Sequence, residues 1–243
     1  MVIRNAMRSG LITAGCLLLT SCGVTKEIHR TFPLAGDGRV VLDQATGGAV
    51  IRAWDYEEIK VDAVAKARNG TLLQEAEVRF DTSPSSIRLW TEYLEPESGS
   101  NRPNLPLAQN RAAVHYDLTV PRNASLDRIA VENNTLSIED VRGNIRATVR
   151  QGTLRARFTK IARNRVLVFE TQGGDIDLTL PRNPDIRLDA TARNGSIDTS
   201  LGIPLRNALP GGSIVSKLEG IFGNGSTSIK LNAINGDIRI RTP

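Results

Sequence analysis

The sequence is poor in the residues that build most catalytic centres and disulfide-rich scaffolds. Its 243 residues include two cysteines and two histidines, and only 4% of them are aromatic. Because His29 lies close to the amino terminus, a histidine triad or a zinc site would depend on His115 alone. With so few aromatic rings, the core must consist mainly of Ile, Leu and Val, a composition that favours thin β-layers.

The sequence also contains no block of like charge. Its net charge is +5, with 31 Lys and Arg against 26 Asp and Glu. The arginines, which supply most of the positive charge, are scattered along the chain. Binding of nucleic acid needs basic residues clustered on one face. We therefore predict a solvated surface of mixed charge and no nucleic-acid partner.

The apolar run LITAGCLLLT, at residues 11–20, is too short for a stable transmembrane helix. It follows two arginines and leads directly into LTSCG, at residues 19–23. This arrangement resembles the lipobox of bacterial lipoproteins, in which a cysteine after small residues carries a diacylglycerol. It predicts a lipoprotein signal peptide at residues 1–21 and lipidation of Cys22. An ordinary signal peptide with a chance cysteine is the alternative.

Processing at this position would leave the mature chain without cysteine chemistry. Cys16 leaves with the signal peptide and Cys22 is acylated, so no disulfide and no cysteine metal ligand is expected. The lipids on Cys22 would attach the protein to a membrane. By resemblance to Gram-negative lipoproteins, Gly23 rather than Asp after the cysteine favours the outer membrane. Periplasmic and surface exposure both stay open.

A short phrase recurs through the second half of the chain. Each copy joins a corner of Gly, Asn or Gln to an alternating strand, whose apolar residues, Leu154 and Ile176 among them, should face inward. The starts lie 18 to 22 residues apart, and the last gap of 41 is close to two periods. The copies NNTLSIED, QGTLRARF, GGDIDLTL, NGSIDTSL and NGDIRIR begin at Asn133, Gln151, Gly173, Asn194 and Asn235. A period near 20 is typical of a β-solenoid, whose coils stack about 4.8 Å apart.

We therefore predict an all-β protein, a single-stranded parallel β-helix of about 20-residue coils over residues 28–243. A tether at residues 22–27 would join it to the lipid, and GDIRIRTP would form its last edge. An antiparallel β-sandwich is the alternative, because strands every 8–12 residues also fit that fold. The recurrence of the phrase at twice the strand spacing favours the solenoid. Residues 94–113 form an insert longer than a corner requires.

Four longer phrases follow one another between residues 47 and 241: GGAVIRAWDYEEIKVDAVAK, YDLTVPRNASL, TQGGDIDLTLP and INGDIRIR. In this order they resemble a bacterial envelope family of unknown function whose members are named "putative adhesins". The resemblance extends over residues 28–242. It implies a stacked β-helix in the cell envelope, and it implies no ligand, reaction or site residue.

Three carboxylates are a first candidate binding surface. Asp175 and Asp177 share one face of a strand, with Cα atoms about 7 Å apart, and Asp198 follows one coil later. Such a group suits binding of Ca²⁺ or hydrolysis of a glycoside. Arg155, which should stack beside Asp177, favours a salt-bridge ladder instead. We expect no bound metal and no cofactor.

A second candidate surface lies beside the insert. In SIRLWTEYL, Trp90 points away from the face that carries Leu89 and Tyr93. An exposed Trp beside a long loop can stack on a sugar ring or a partner, whereas a Trp packed under its own loop only stabilises the fold. Trp90 and Tyr93 form the candidate surface together with Glu95 and Glu97.

The sequence thus predicts a non-enzymatic envelope lipoprotein that offers a rigid binding or adhesion surface to a glycan or an envelope protein. One alternative is a carbohydrate-active β-helix enzyme, a lyase or hydrolase, that uses the surface carboxylates. Another is a structural or stress-related component of the periplasm. His115 and Asp117, on one face of AVHYDLTVP, form either a surface pair or a general base with its orienting carboxylate.

Overall fold

The computed structural model describes residues 23–94, 111–202, 206–208 and 215–243. These residues form nineteen strands and one five-residue helix, α1 (Gly70–Gln74), too short to cross a bilayer. The strands make two large sheets, so the predicted all-β class is confirmed. In chain order they are β1 (Val24–Pro33), β2 (Arg39–Ala45), β3 (Ala49–Trp54), β4 (Glu58–Ala67), β5 (Ala76–Ser83), β6 (Ser86–Tyr93), β7 (Ala113–Pro121), β8 (Ser125–Asn133), β9 (Leu136–Glu139), β10 (Ile145–Gln151), β11 (Leu154–Arg157), β12 (Val166–Thr171), β13 (Ile176–Thr179), β14 (Ile186–Arg193), β15 (Ile197–Thr199), β16 (Arg206–Ala208), β17 (Val215–Phe222), β18 (Thr227–Ile234) and β19 (Ile238–Arg241).

The middle of the chain alternates between the two sheets. The nine-stranded sheet has the order β1-β4-β7-β3-β9-β11-β13-β19-β15, and the ten-stranded sheet has the order β16-β17-β14-β18-β12-β10-β8-β2-β6-β5. We call a strand of the ten-stranded sheet and the next strand of the nine-stranded sheet a coil. Coils β8/β9, β10/β11 and β12/β13 stack in parallel, and Leu154 is in register with both Leu136 and Ile176. The repeated phrase is therefore the corner and second strand of one coil.

Two coils do not stack in chain order. The last coil, β18/β19, lies between β12/β13 and β14/β15 and is parallel to both. The first coil, β2/β3, lies in the same way between β6/β7 and β8/β9. The gap of 41 residues between the starts of the last two phrases contains β16 and β17, two antiparallel strands of the ten-stranded sheet, in addition to β15 and β18. The prediction that GDIRIRTP forms an edge is wrong, because β19 has a strand on either side.

Antiparallel strands extend the parallel stack at both ends, so the sheets are mixed. At one end β4 pairs antiparallel with β7 and β1 with β4, while β5 pairs antiparallel with β6. At the other end β17 pairs antiparallel with β14, and β16 with β17. The parallel stacking that the phrase predicted is present from β6 to β14 of the ten-stranded sheet and from β7 to the edge strand β15 of the nine-stranded sheet. An antiparallel sandwich would lack it altogether.

The core lies between the two sheets and consists almost wholly of aliphatic side chains from alternate strand positions. The residues predicted to face inward are at most 2% exposed: Leu154, Ala156, Phe158, Ile176, Leu178, Leu180, Ile238 and Ile240. Full burial of a Leu, Ile or Phe side chain stabilises a fold by about 1.5–3 kcal/mol. Each coil shares this core with its neighbours, which is why no coil is stable alone.

Stacked glycines form the corner at which coils β10/β11, β12/β13, β18/β19 and β14/β15 pass from one sheet to the other. Gly152 lies on Asn134, Gly174 on Gly152, Gly236 on Gly174, and Gly195 on Gly236. A Cβ atom at Gly174 would lie 1.9 Å from the carbonyl oxygen of Gly152, and one at Gly236 would lie 2.1 Å from that of Gly174. No side chain fits at these distances. The corners need glycine chiefly because the backbones of successive coils touch there.

The amino-terminal end of the described chain is part of the sheet from its second residue. Val24 begins β1 and is in register with Ala67 of β4. Residues 24–27 were predicted to belong to a tether. They are part of strand β1, so that part of the prediction is wrong. Cys22 and the signal peptide at residues 1–21 lie outside the described residues, as do residues 95–110 of the insert.

Gly236→Ala tests the close stacking of the corners. The backbone of Gly236 is not in the left-handed region, so the new methyl group acts only through its clash with the carbonyl of Gly174. We expect the free energy of unfolding, measured by urea denaturation, to fall by about 2–4 kcal/mol.

Gly70→Ala is the matched control, since a Cβ atom there meets nothing within 4 Å. In helix α1 this substitution should leave stability unchanged or raise it by up to about 1 kcal/mol. Equal effects of the two substitutions would contradict the role of stacking.

Candidate functional site

The three candidate aspartates lie on the outer face of the nine-stranded sheet, each beside an arginine. Arg239 donates through Nη1 to Oδ2 of Asp175 at 2.8 Å and to Oδ1 of Asp177 at 3.3 Å. Arg155 Nε lies 3.5 Å from Oδ2 of Asp177. Across the sheet the register runs from Arg155 through Asp177 and Arg239 to Asp198. The predicted salt-bridge ladder is thus present, with charges that alternate from strand to strand.

This arrangement is unsuited to acid–base catalysis and to metal binding. Asp198 is two strands from Asp177 rather than one, because β19 lies between their strands. A hydrogen bond from Arg241 lowers the pKa of Asp198, whereas the general acid of a glycosidase needs a raised pKa. Among the described residues no group of three His, Cys, Asp or Glu side chains could hold a metal ion.

The predicted pair of His115 and Asp117 does not form a catalytic dyad. Nδ1 of His115 accepts a hydrogen bond from the backbone N–H of Gly48 at 3.0 Å, and burial lowers the pKa of the imidazole. Asp117 instead accepts from Nη1 of Arg52, with both oxygens at 2.7 Å. The histidine therefore fixes a corner, and the aspartate belongs to a surface ion pair.

Trp90 lies in a groove on the outer face of the other sheet. The groove has a volume of about 540 Å³ and runs along β2, β6 and β8 near the glycine corners. Trp90 is half-buried, and the guanidinium of Arg88 lies 5.4 Å from the centre of its ring. The lining residues are Asp43, Thr46, Arg88, Trp90, Thr91, Tyr93, Arg111, Arg128, Ala130 and Glu132. We call this surface the Trp90 groove.

Tyr93 forms one wall of the Trp90 groove. Its hydroxyl bonds to Oγ1 of Thr46 at 2.6 Å and donates to the carbonyl of Ala112 at 2.8 Å. The guanidinium of Arg111 lies 4.8 Å from the centre of its ring. Burial raises the pKa of the phenol, so it stays neutral. Tyr93 thus holds the two sheets together at this corner and positions Arg111 at the rim.

The exposed charge of the Trp90 groove is positive. Asp43, whose side chain is only 12% exposed, bonds to Nε of Arg88 at 2.7 Å and also to Nη2 of Arg128. The side chains of Arg88 and Arg128 are 56% and 60% exposed. With Arg111 and Glu132 included, the groove has three guanidinium groups and two carboxylates. An anionic or hydroxyl-rich ligand would meet guanidinium donors first.

The structure separates the predicted site residues. Trp90 and Tyr93 lie together in the groove, whereas the three aspartates lie on the outer face of the other sheet. Glu95 and Glu97 lie outside the described residues.

The arginines of the groove were not predicted as site residues from the sequence. Arg88 could have been found, since it is two residues from Trp90 and therefore shares its face of the strand. Asp43 and Arg128 could not be found in this way. Asp43 lies on β2 of the first coil, which pairs with β6 and with the strand of Arg128, β8, out of chain order.

Lowering the pH should reveal how much Asp237 contributes to the stability of the fold. Its carboxylate accepts hydrogen bonds from the backbone N–H and the hydroxyl of Ser196 at 2.8 and 2.9 Å. These hydrogen bonds lower its pKa. Its share of stability is therefore present above the unfolded pKa, about 3.9, and is lost as the pH falls through the lower folded pKa. In urea denaturation, Asp237→Asn should be less stable at neutral pH, and the difference should shrink below about pH 4.

Asp81→Asn removes the same charge from the exposed edge strand β5 and serves as the control. The same pH dependence in both variants would assign the effect to net charge and contradict the role of Asp237.

A solved structure shares the fold at low sequence identity. A "putative cell adhesion protein" from Clostridium sporogenes has a TM-score of 0.55 and 14% identity, covering 90% of this chain and 100% of that one. A "putative adhesin" from Bacteroides fragilis has a TM-score of 0.26 and 11% identity, with 90% and 97% covered. The first likeness shows the fold, and the second is too weak to add to it.

A family model matches the carboxyl-terminal part of the sequence. Residues 117–241, just over half of the chain, match the family model described as Toastrack DUF4097. No curated protein matches.

Proposed function

Since the chain belongs to the Toastrack DUF4097 family, a name that states no activity, we propose a function from the site itself. The protein is a non-enzymatic lipoprotein of the cell envelope that binds a glycan or another envelope component in the Trp90 groove. The observation that carries this proposal is the groove, in which an aromatic ring and three guanidinium groups converge on one concave surface.

The groove has the composition of a binding site. Aromatic faces and arginine side chains are the groups that most often dominate binding energy at protein surfaces. An indole face stacks on a sugar ring, and guanidinium groups donate to hydroxyl and anionic oxygens. Trp90, Arg88 and Arg128 lie on strands that are paired on each side, so this part of the surface is formed before a ligand arrives.

The carboxylates support binding rather than catalysis. Asp175 and Asp177 both accept from Arg239, and Asp198 is paired with Arg241. A retaining or inverting glycosidase needs two carboxyl groups of opposite roles facing one bond. Nothing in the ladder distinguishes one carboxylate as an acid. The ladder therefore does not support the alternative of a carbohydrate-active enzyme.

The stack of coils suits a display role. Nine or ten strands at about 4.8 Å spacing give a rod about 40 Å long, and we infer that it works as a β-helix, although its sheets are mixed. Because strand β1 starts at Val24, lipidation at Cys22 would attach this rod to the membrane without a flexible spacer. The adhesion named for the C. sporogenes structure agrees with such a role.

Trp90→Ala should weaken binding to envelope glycans by about tenfold, because it removes the stacking surface. Binding is measured on a panel of envelope polysaccharides by surface plasmon resonance, with the fold checked by circular dichroism. Tyr56→Ala is the control, since Tyr56 is a 65% exposed aromatic side chain outside the groove. Equal losses in both variants would contradict a role for the Trp90 groove.

The enzymatic alternative predicts turnover that depends on the aspartates. We expect no release of reducing or unsaturated sugar ends from any polysaccharide that binds, and no effect of Asp177→Asn on binding. Turnover that disappears in Asp177→Asn, with the fold intact, would overturn the proposal of a non-enzymatic protein.

A further inference from the structure

The Trp90 groove lies at the same corner of the fold as the start of β1. Val24 is in register with Ala67 of β4, and the neighbouring Lys66 is in register with Ala113 of β7. Two strand spacings of about 4.8 Å therefore separate Val24 from the start of β7, a distance of about 10 Å. Ala112, directly before β7, accepts a hydrogen bond from the hydroxyl of Tyr93 in the groove wall.

This closeness has a consequence if Cys22 carries lipid, and the inference rests on that part of the proposed function. Cys22 and Val24 are two residues apart, so their Cα atoms are separated by about 7 Å at most. A lipid on Cys22 would hold the start of β1 against the bilayer surface. The Trp90 groove would then lie within roughly 20 Å of that surface.

The charges at this corner favour an anionic membrane. Lys66 and Arg68, which flank Ala67, are exposed, and so is Lys26 near the start of β1. Arg111 is exposed at the rim of the groove. Each basic side chain close to an anionic bilayer adds to its attraction for the protein. The corner where the chain enters the fold is thus also the corner that an anionic surface would attract.

The groove itself suits a phosphate group. A guanidinium has five N–H donors, and a single carboxylate accepts only part of those that two arginines offer. Asp43 holds the guanidinium groups of Arg88 and Arg128 side by side. Both arginines line the groove, and each has N–H donors that Asp43 does not use. Arg111 stands at the rim, over the ring of Tyr93. Planar guanidinium groups match phosphate oxygens in pairs.

We propose that the Trp90 groove binds the phosphate-bearing headgroup of a lipid in the membrane to which the protein is anchored. Trp90, an amphipathic ring at the height of the headgroups, contacts the glycerol or sugar next to the phosphate. Tethering keeps the groove and the headgroups at a high effective concentration. In the anchored protein the groove is therefore occupied and the rod is oriented on the bilayer.

The test uses the chain from Gly23, which holds every strand of the described fold, so that no lipid of its own confers binding. It is mixed with phosphatidylcholine vesicles that contain about one third phosphatidylglycerol, and with pure phosphatidylcholine vesicles, and bound protein is measured by flotation. We expect binding to the anionic vesicles only. The double substitution Arg88→Gln and Arg128→Gln should weaken it by about tenfold.

Arg146→Gln with Arg150→Gln is the matched control. It removes the same charge from exposed positions on β10, the neighbour of β8 on the same outer face. This variant should keep binding within about twofold of the parent chain. Equal losses in the two double variants would show attraction to the net charge alone and would overturn a headgroup site. So would a failure of the parent chain to bind anionic vesicles.

Free sn-glycerol 1-phosphate separates a lipid from a soluble ligand. At millimolar concentration it should compete only partly with anionic vesicles, because it lacks the bilayer. Complete displacement, with equal affinity for the free compound, would identify a soluble phosphate ester and overturn the membrane assignment. Binding of a glycan that depends on Trp90, without any binding to anionic vesicles, would overturn the headgroup proposal and leave the proposed function standing.

Discussion

The contact between backbones at the glycine corners sets the geometry on which the rest of the protein depends. Parallel strands of neighbouring coils can pair in register only if the chain between them turns at the same height in every coil. Gly152, Gly174 and Gly236 allow this because each lies directly on the backbone of the coil beside it. The rows of inward aliphatic residues and the outward rows of charge follow from that one spacing, since side chains alternate strictly along each strand.

The same spacing gives the two outer faces different electrostatic characters. On the nine-stranded sheet, Asp177 and Arg239 are opposite each other on adjacent strands and neutralise one another. Water and salt screen such exposed pairs, so they contribute to register more than to stability. On the ten-stranded sheet, the carboxylate of Asp43 is covered by the arginines that it binds. That face therefore keeps an exposed positive surface at the Trp90 groove.

Structural features that depend on the local sequence pattern could be predicted from the sequence, whereas the choice of neighbouring strands in each sheet could not. Alternation and the corner phrase were enough to place Leu154 and Ile176 in the core and to pair Arg155 with Asp177. The positions of the first and last coils could not be predicted in this way. Any aliphatic strand with the right period can pair with any other, and only the whole set of neighbours selects one order. The half of the site formed by Asp43 and Arg128 was missed for that reason.

The position of the last coil has a consequence for how the protein is made. β18 and β19 come from residues 227–241, yet they are the strands against which β12, β13, β14 and β15 pair. Until residues 227–241 have left the ribosome, those four strands lack a neighbour that the finished sheets require. A nascent chain can therefore pair its amino-terminal coils before it can complete the sheets around β12 to β15. The order of the strands thus delays closure of these sheets until the last coil has been made.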